Sequence, residues 1–333
     1  MRRWLPALLP AAAILAFLYW RGLAARPYRR TEYLMGTLFE ITAYGPRART
    51  GVEAAFAAVR EIERLSDPRR PASDVGRLNA AAGREPVRVN RHTYAILRLS
   101  ESWRKRTGGA FDVTVAPLVR VWGFAPGGEP HLPRPAEVAA AKRLVGGEDL
   151  VLDPGARTAF LRRAGMAVDL GGVAKGYAVD RAYDALRRAG VRRALVNGGG
   201  SSIRALGSPP RGEWWRIGVA HPRRAGTYLA IVLLRPGTAM GTSADNQRYF
   251  FAGGRRYAHL LDPATGHPAG QSVLWSITAG SAAVADILST ACFVRGPSAG
   301  LSLAAAAGAE GLVLTPGGRV ERTPGLRAEG IGS

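Results

Sequence analysis

An apolar strand end meets a glycine turn and the start of a helix in Val168-Asp169-Leu170-Gly171-Gly172-Val173-Ala174-Lys175-Gly176-Tyr177-Ala178-Val179-Asp180. Glycine lets a backbone approach a ligand closely, and the first N–H groups of a helix are unpaired and lie at the positive end of its dipole. Lys175 adds a cation in the first turn, and Asp169 adds an acceptor just before it. The segment therefore suits phosphate binding, although a capping Asp, a tight turn and a surface Lys would give the same pattern.

The composition is that of a folded protein with a strongly basic surface. Of 333 residues, 47% are hydrophobic and 21% are charged, and the net charge is +21. Such a surface can serve nucleic acid, anionic lipid or an anionic small substrate. We expect no nucleic acid partner, because aromatic and basic residues do not interleave as they do in a stacking platform. The single cysteine, Cys292, lies in an apolar segment and is expected in the core.

The first thirty residues have the form of a targeting segment. Met1-Arg2-Arg3 precedes an uncharged apolar run from Trp4 to Trp20, which is close to the lower limit of ~17 to 25 residues for a membrane span. No cysteine follows the run, which excludes a lipoprotein signal. We expect residues 1–30 to be an uncleaved anchor, with a cleaved signal peptide as the alternative, and residues 31–333 to be a catalytic domain outside the cytoplasm.

Residues 31–333 show no break in composition and no tandem repeat, so we expect a single two-lobed domain. Apolar spacing predicts helices at residues 51–65, 92–105, 136–144, 173–189 and 282–294. It predicts strands at residues 34–44, 194–196, 216–220, 228–234, 239–242, 248–251, 257–261 and 272–279, and a loose tail at 325–333. Because the strands from 216 to 261 alternate with turns and not with helices, the predicted class is α+β with mixed, largely antiparallel sheets and packed helices.

The helix predicted at residues 282–294 is apolar nearly all round, so it should be buried. Asp286 lies inside it, beyond the first turn where capping would account for an acid, and Thr290 lies four residues on, on the same face. A buried carboxylate needs a cation or a proton. A carboxylate and a hydroxyl oxygen are ligands suited to Mg²⁺, and an ion pair with one of the many Arg residues is the alternative.

Two further polar clusters occupy residues 240–249 and 257–266. They contain turn-forming pairs, Asp262-Pro263 and Thr265-Gly266. His259 lies between strand residues just before the turn, where a hydrogen-bonded core histidine is the ordinary outcome. The sequence has no Gly-x-Ser-x-Gly elbow and no His-Glu-x-x-His helix, which argues against serine hydrolases and zinc peptidases.

These motifs, in this order, resemble the ApbE-type FAD:protein FMN transferases over residues 31–315. The motifs that carry the resemblance are Met35-Gly36-Thr37, Gly109-Ala110-Phe111-Asp112, Pro117-Leu118, the segment Asp169–Asp180, Gly199-Gly200, Thr242-Ser243, His259-Leu260-Leu261-Asp262-Pro263, Thr265-Gly266 and Ala285-Asp286-Ile287-Leu288-Ser289-Thr290.

The resemblance implies an ApbE-like fold and Mg²⁺-dependent cleavage of the FAD pyrophosphate. FMN would pass to a Thr or Ser hydroxyl of a membrane-bound or exported acceptor flavoprotein, and AMP would be released. The implied Mg²⁺ ligands are the side chains of Asp286 and Thr290 and the carbonyl of Gly172. The implied contacts to the flavin or nucleotide come from Met35, Ala110, Phe111, Asp112, Asp169, Lys175 and His259. Asp286, Lys175 and His259 are the predicted catalytic residues.

The chain departs from this family at three places. Many members carry a stacking Tyr in the loop after Ser66, where this chain has Asp67-Pro68-Arg69-Arg70. The family's Thr-Ser-Gly-Asp turn is Thr242-Ser243-Ala244-Asp245, and Ser201-Ser202 stand where many members carry an Asp. Two other functions remain open: hydrolysis of FAD to FMN and AMP, and non-catalytic binding of flavin outside the cytoplasm.

Overall fold

The computed structural model describes residues 27–331. The apolar run predicted to be an anchor lies outside these residues. The described helices are α1 (Ala48–Ser66), α2 (Asp74–Ala80), α3 (Arg91–Arg106), α4 (Ala116–Val121), α5 (Pro135–Lys142), α6 (Ala174–Arg188), α7 (Ala282–Arg295) and α8 (Pro297–Ala306). Among residues 27–331, no helix has the length and apolar character needed to cross a membrane.

The strands are β1 (Pro27–Leu34), β2 (Thr37–Tyr44), β3 (Val87–Arg88), β4 (Leu150–Asp153), β5 (Thr158–Leu161), β6 (Arg193–Gly198), β7 (Ser202–Leu206), β8 (Trp215–Ala220), β9 (Tyr228–Leu234), β10 (Ala239–Ala244), β11 (Tyr249–Ala252), β12 (Arg255–Ala258), β13 (Leu274–Ala279), β14 (Glu310–Leu314), β15 (Val320–Arg322) and β16 (Ala328–Glu329). The five predicted helices are confirmed as α1, α3, α5, α6 and α7.

Three sequence predictions are wrong in detail. The strand predicted at 34–44 is a hairpin of β1 and β2, with Met35 and Gly36 in the turn at φ +52° and +75°. No helix is predicted over residues 66–77, yet this segment contains the start of α2, which Ser73 caps by accepting from the Gly76 N–H. The tail is not wholly loose, because Ala328 and Glu329 pair with β9.

The paired strands of residues 27–331 run antiparallel, which confirms the α+β class. The largest sheet has the order β1-β2-β6-β7-β10-β13-β14-β15, and a three-stranded sheet has the order β16-β9-β8. Consecutive residues along β10, β13 and β14 belong to two different apolar clusters. One cluster contains Ala239, Trp275 and Val313, and the other contains Met240, Leu274 and Leu312. Since successive strand residues point to opposite faces, each face of this sheet covers its own core.

Helices α1, α6 and α7 share the first of these cores. Two glycines let the backbones that carry the polar motifs approach each other closely. A Cβ on Gly176 of α6 would lie 2.3 Å from the Ala282 carbonyl oxygen of α7. A Cβ on Gly241 of β10 would lie 2.4 Å from the Ala285 carbonyl carbon. The start of α6, the middle of β10 and the first half of α7 are therefore in direct backbone contact.

Candidate functional site

One cavity, of about 750 Å³, gathers all the residues that the sequence predicted for the site. The predicted residues that line it are Met35, Ala110, Phe111, Asp112, Asp169, Gly172, Lys175, His259, Asp286 and Thr290. Small-molecule sites usually have volumes of roughly 300 to 1,000 Å³. The cavity is thus a candidate ligand site, and the roles of the individual residues within it remain predictions.

Asp286 lies on α7 at the wall of this cavity and is 7% exposed. Its Oδ2 accepts the Gly176 N–H at 2.8 Å, and the Ser202 hydroxyl lies 2.9 and 2.7 Å from its two oxygens. Burial raises the pKa of Asp286 to about 7, against the opposing effects of the Lys175 charge and these hydrogen bonds. Within residues 27–331 no Arg forms an ion pair with this carboxylate, so the alternative of an Asp–Arg pair at this position is wrong.

Asp180 is the acid of this region that does pair with Arg. It is buried on α6, where Oδ1 accepts from Arg204 Nη1 at 2.6 Å and from the Ala282 N–H at 2.9 Å, and Oδ2 accepts from the Ala283 N–H at 3.0 Å. The arrangement is reciprocal, because each of the two helices places a carboxylate on the first-turn N–H groups of the other. This exchange fixes Asp286 relative to the glycine turn.

Thr290 Oγ1 lies one helical turn from Asp286 and 3.2 Å from Ser243 Oγ. A Cβ on Gly172 would lie 3.6 Å from Thr290 Oγ1, so the glycine turn adjoins this hydroxyl. A carboxylate offers about four acceptor positions, of which the Gly176 N–H and the Ser202 hydroxyl use two, leaving capacity for a cation. Residues 27–331 contain no group of three or more His, Cys, Asp or Glu side chains placed for a metal. The oxygen set fits Mg²⁺, which takes few carboxylates and fills its other positions with phosphate and water.

Lys175 extends its ammonium group to 2.6 Å from Ser201 Oγ at the cavity wall. No carboxylate of the described chain lies within ion-pair distance of this nitrogen. The N–H groups expected to be free at the turn are instead taken by protein acceptors: Gly171 donates to Asp169 Oδ1, Val173 and Ala174 to the Leu170 carbonyl, and Gly176 to Asp286. The phosphate binding predicted for this turn would therefore depend on the Lys175 charge and not on those N–H groups.

His259 lies at the end of the β11–β12 hairpin, half-buried against the edge of the Phe124 ring. Its Nδ1 lies 3.2 Å from the Arg248 carbonyl oxygen and donates to it in the neutral tautomer. Burial, followed by the Arg248 charge, lowers the pKa of His259 to about 4. The imidazole is therefore neutral at pH 7, with Nε2 able to accept a hydrogen bond or a proton.

Three of the predicted ligand-contacting residues also hold the cavity wall in shape. Asp112 Oδ1 accepts from the Thr114 N–H and hydroxyl at 2.8 and 2.6 Å, and Oδ2 accepts from the Gly147 N–H at 3.0 Å. Asp169 closes the glycine turn by accepting from Gly171 at 2.7 Å. Met35 occupies a left-handed conformation that disfavours side chains, and its N–H donates to Glu63 Oε1 at 2.6 Å.

Polar residues at or beside each departure from the family pattern have partners in the structure. Ser201 and Ser202 bond Lys175 and Asp286, as described above, and Asp245 forms a two-armed ion pair with Arg223. Asp67 holds Arg69 through Nε and Nη2 at 3.0 and 3.1 Å, and both residues line the cavity. In the loop where many family members carry a stacking Tyr, this chain thus presents an anchored guanidinium to the cavity.

Comparison with known proteins places this site in a family. The family model described as ApbE family matches residues 35–313. A FAD:protein FMN transferase of Treponema pallidum is 33% identical over 323 residues, covering 90% of this chain and 88% of the relative. Another FAD:protein FMN transferase, from Klebsiella pneumoniae, is 32% identical over 243 residues, covering 73% of this chain and 74% of that protein.

Solved structures agree with these relatives. The crystal structure of the ApbE protein of Thermotoga maritima has a TM-score of 0.83 and 31% identity, covering 90% of this chain and 97% of the other. The apo form of the flavinyl transferase ApbE of Pseudomonas stutzeri has a TM-score of 0.80 and 30% identity, covering 90% and 95% of the two chains. By sequence, fold and the residues gathered at its cavity, the chain belongs to the ApbE family.

Proposed function

We propose that this protein transfers FMN from FAD to a Thr or Ser hydroxyl of an acceptor flavoprotein and releases AMP. The names of the curated relatives support FAD as the donor and a protein as the acceptor. The observation that carries the proposal is the pairing, in one cavity, of the buried Asp286 carboxylate with the Lys175 ammonium, neither of them neutralised by an ion pair of the described chain.

The bonds that change in this reaction lie at the FAD pyrophosphate. The acceptor oxygen forms a bond to the phosphorus on the FMN side, the bond from that phosphorus to the bridging oxygen breaks, and AMP leaves with the bridging oxygen. Mg²⁺ held by Asp286, Thr290 and the Gly172 carbonyl would neutralise pyrophosphate charge and orient it for in-line attack.

The protein's own groups have separable tasks in this proposal. Lys175 binds a phosphate oxygen, since its ammonium faces the cavity and keeps two further donors beyond Ser201. Ser202 and the Gly176 N–H hold the Asp286 carboxylate in a fixed orientation. His259 is neutral and presents Nε2, so we assign it as the acceptor of the hydroxyl proton.

The decisive experiment incubates the full chain with FAD, Mg²⁺ and the exported proteins of its own organism. Covalent flavin is read as fluorescence in a denaturing gel, and free FMN and AMP are separated by chromatography. Transfer predicts one or more fluorescent protein bands and AMP in equal amount to the bound flavin. FMN and AMP without a labelled protein would show hydrolysis, and intact FAD bound to the chain would show a flavin-binding protein.

We also propose that residues 1–30 anchor the protein and that residues 31–333 form the catalytic domain outside the cytoplasm. What supports this is the apolar run from Trp4 to Trp20 behind Arg2 and Arg3. An enzyme that labels exported flavoproteins needs its cavity on the same side of the membrane as they are.

A further inference from the structure

Large apolar side chains are exposed at few places in residues 27–331. The exposed ones are Tyr33, Leu38, Leu132, Tyr228, Tyr249, Phe251 and Ile331. Four of these seven lie on two hairpins, β1–β2 and β11–β12. We call these two the rim hairpins, because the turn of the first and the base of the second line the cavity.

The first rim hairpin carries a cross-strand apolar pair. Tyr33 of β1 lies directly opposite Leu38 of β2, and the two are 71% and 60% exposed. Side chains directly opposite on antiparallel strands project from the same face. The turn between them, residues 35–37, lines the cavity. An apolar patch thus begins one residue away from the cavity wall.

The second rim hairpin has one face turned inward and one outward. Tyr257 stacks on Phe250 and on Trp122, with ring centroids 5.2 and 5.7 Å apart. On the outer face, Tyr249 and Phe251 are 40% and 60% exposed, with the Arg256 guanidinium 3.9 and 5.0 Å from their ring centroids.

The base of this second hairpin also belongs to the cavity. Gln247 and Arg248 before β11, and His259 after β12, line it. Residues 246–261 include three Arg and neither Asp nor Glu. Of these, Arg256 lies opposite Phe251 in the strand register and shares its face, so the outer face is both apolar and cationic.

We propose that the rim hairpins form the docking surface for the folded acceptor protein, which presents apolar and acidic side chains around its Ser or Thr. This inference rests on the proposed function, since that reaction requires another protein to place a hydroxyl in the cavity. Each patch adjoins residues that line the cavity, which the acceptor hydroxyl has to enter. Aromatic side chains on a rigid hairpin are frequent anchors of protein interfaces.

Charge favours this occupant over a second copy of the chain. Two molecules that each carry a net charge of +21 repel each other, whereas an acidic segment is attracted to the Arg-rich hairpin. The attraction across an exposed rim weakens as salt is added. The KM for the acceptor should therefore rise with ionic strength.

The test compares two double variants with a matched control. Tyr33→Ser with Leu38→Ser removes one patch, and Tyr249→Ser with Phe251→Ser removes the other. Arg255→Glu, at an exposed position of the second hairpin, reverses one charge without touching either apolar pair. The control is Tyr228→Ser, which removes a side chain that is 64% exposed on β9, a strand with no residue at the cavity.

Two acceptors are used with each variant. One is the folded exported protein that the wild-type chain labels with FMN, and the other is a short peptide spanning its modified residue. For the folded acceptor, each double variant should raise KM about tenfold with kcat unchanged. Arg255→Glu should also raise this KM. Transfer to the peptide and the Kd for FAD, read by flavin fluorescence, should stay at the wild-type values, as should every parameter of the control. Melting temperatures verify that each variant is folded.

A wild-type KM for the folded acceptor in both double variants would overturn the docking surface and leave the proposed transfer intact. An equal rise in KM for the peptide, or a weaker Kd for FAD, would also overturn it, because the side chains would then act within the cavity. If the wild-type chain labels no exported protein, the proposed function itself fails, and the docking inference fails with it.

Discussion

In the proposed mechanism the chemistry depends most directly on Asp286, the buried carboxylate at the wall of the cavity. Asp286→Asn keeps the shape of the side chain and removes its charge. We expect FMN transfer to fall at least about 100-fold, and thermal stabilisation by Mg²⁺ to disappear. Asp184→Asn is the control, because Asp184 lies on the same helix as the Lys175 turn but pairs with Arg181 at 2.9 Å, outside the cavity. Wild-type turnover of Asp286→Asn at low Mg²⁺ would refute the assignment.

The pKa of Asp286 makes a second prediction, about stability. The pKa is about 7 in the folded state, against an ordinary value of 3.8 for Asp, so between these values the folded state binds more protons than the unfolded state. Stability from this group is then lost as pH rises from about 4 to about 7. Without Mg²⁺, the unfolding free energy of Asp286→Asn should exceed that of the wild type by an amount that grows over this range and then levels off. Urea unfolding at several pH values measures it, and a difference that shrinks with pH would contradict the shift.

Lys175 supplies a positive charge that no carboxylate of the described chain neutralises. Lys175→Met keeps most of the side chain's length and removes the charge, so the KM for FAD should rise about tenfold, the usual worth of a charge-assisted hydrogen bond. The melting temperature should change little, since within residues 27–331 the Lys175 ammonium has one hydrogen-bond partner, the Ser201 hydroxyl. Lys105→Met, at an exposed lysine 3.4 Å from Glu101, is the matched control. Unchanged kinetics with a lower melting temperature would make Lys175 a structural cation.

Sequence reasoning found Asp286 and Thr290 because a polar pair at helical spacing inside an apolar helix needs an explanation. The other cavity residues came from the resemblance to a family. Sequence reasoning did not assign roles to Ser202, whose hydroxyl bonds the Asp286 carboxylate, or to the Asp180–Arg204 pair. A Ser beside another Ser in a glycine-rich turn has many uses, and an Asp late in an amphipathic helix is usually solvated. Only the tertiary contact with α7 distinguishes them.

At the scale of elements, α6 and α7 are joined by an exchange of carboxylates. Asp180 of α6 accepts from the first turn of α7, and Asp286 of α7 accepts from the first turn of α6. Because each bond depends on the separation of the two helices, the small size of Gly176 at their contact is part of the site. The catalytic geometry is therefore a property of the helix pair and not of one motif.

Gly176→Ala tests that contact. In an isolated helix, Ala would be more stable than Gly by about 1 kcal/mol, but here its Cβ would meet the Ala282 carbonyl oxygen at 2.3 Å. Overpacking against backbone should prevail, so we expect a net loss of ~1 to 3 kcal/mol and a larger fall in transfer than stability alone explains. Gly280→Ala is the control, since Gly280 precedes α7, the helix that Gly176 contacts, and has open space around its Cβ. Urea unfolding and transfer assays measure both effects, and a stabilised Gly176→Ala would refute the close contact.

Strand β1 shows why some elements escape sequence reasoning. Its residues alternate in exposure, but the side chains turned towards α1 include Arg30 and Glu32, which form ion pairs with Glu53 and Arg60. Hydrophobic periodicity cannot detect a strand whose inner face is held partly by charges. The helices were found more easily because α1 and α7 bury long apolar faces.

At the scale of the whole molecule, the class was predictable but the strand order was not. Turns between closely spaced strands indicate antiparallel pairing, which the structure has. In the large sheet, however, β2 pairs with β6 and β10 pairs with β13. Along the chain, helices lie between the first two strands and the β11–β12 sheet lies between the second two. Local spacing carries no information on such pairs, because they are set by which apolar face packs on which core.

The last prediction concerns where the molecule resides. The first described strand begins at Pro27, and residues 21–26 lie between it and the end of the apolar run at Trp20. A link of this length reaches no more than about 25 Å, so an anchored enzyme would work close to the membrane. The full chain should sediment with membranes and resist extraction by alkaline carbonate, whereas residues 27–333 expressed alone should not.

Sidedness can be read with a single engineered cysteine. Cys292 is fully buried, and burial raises the pKa of its thiol to about 12, so it should not react with maleimides. Leu132→Cys places a reactive thiol at a position that is 55% exposed in the wild type. A membrane-impermeant maleimide should label this variant in intact spheroplasts and leave the wild type unlabelled. Labelling only after lysis would place the catalytic domain in the cytoplasm and overturn the proposed location.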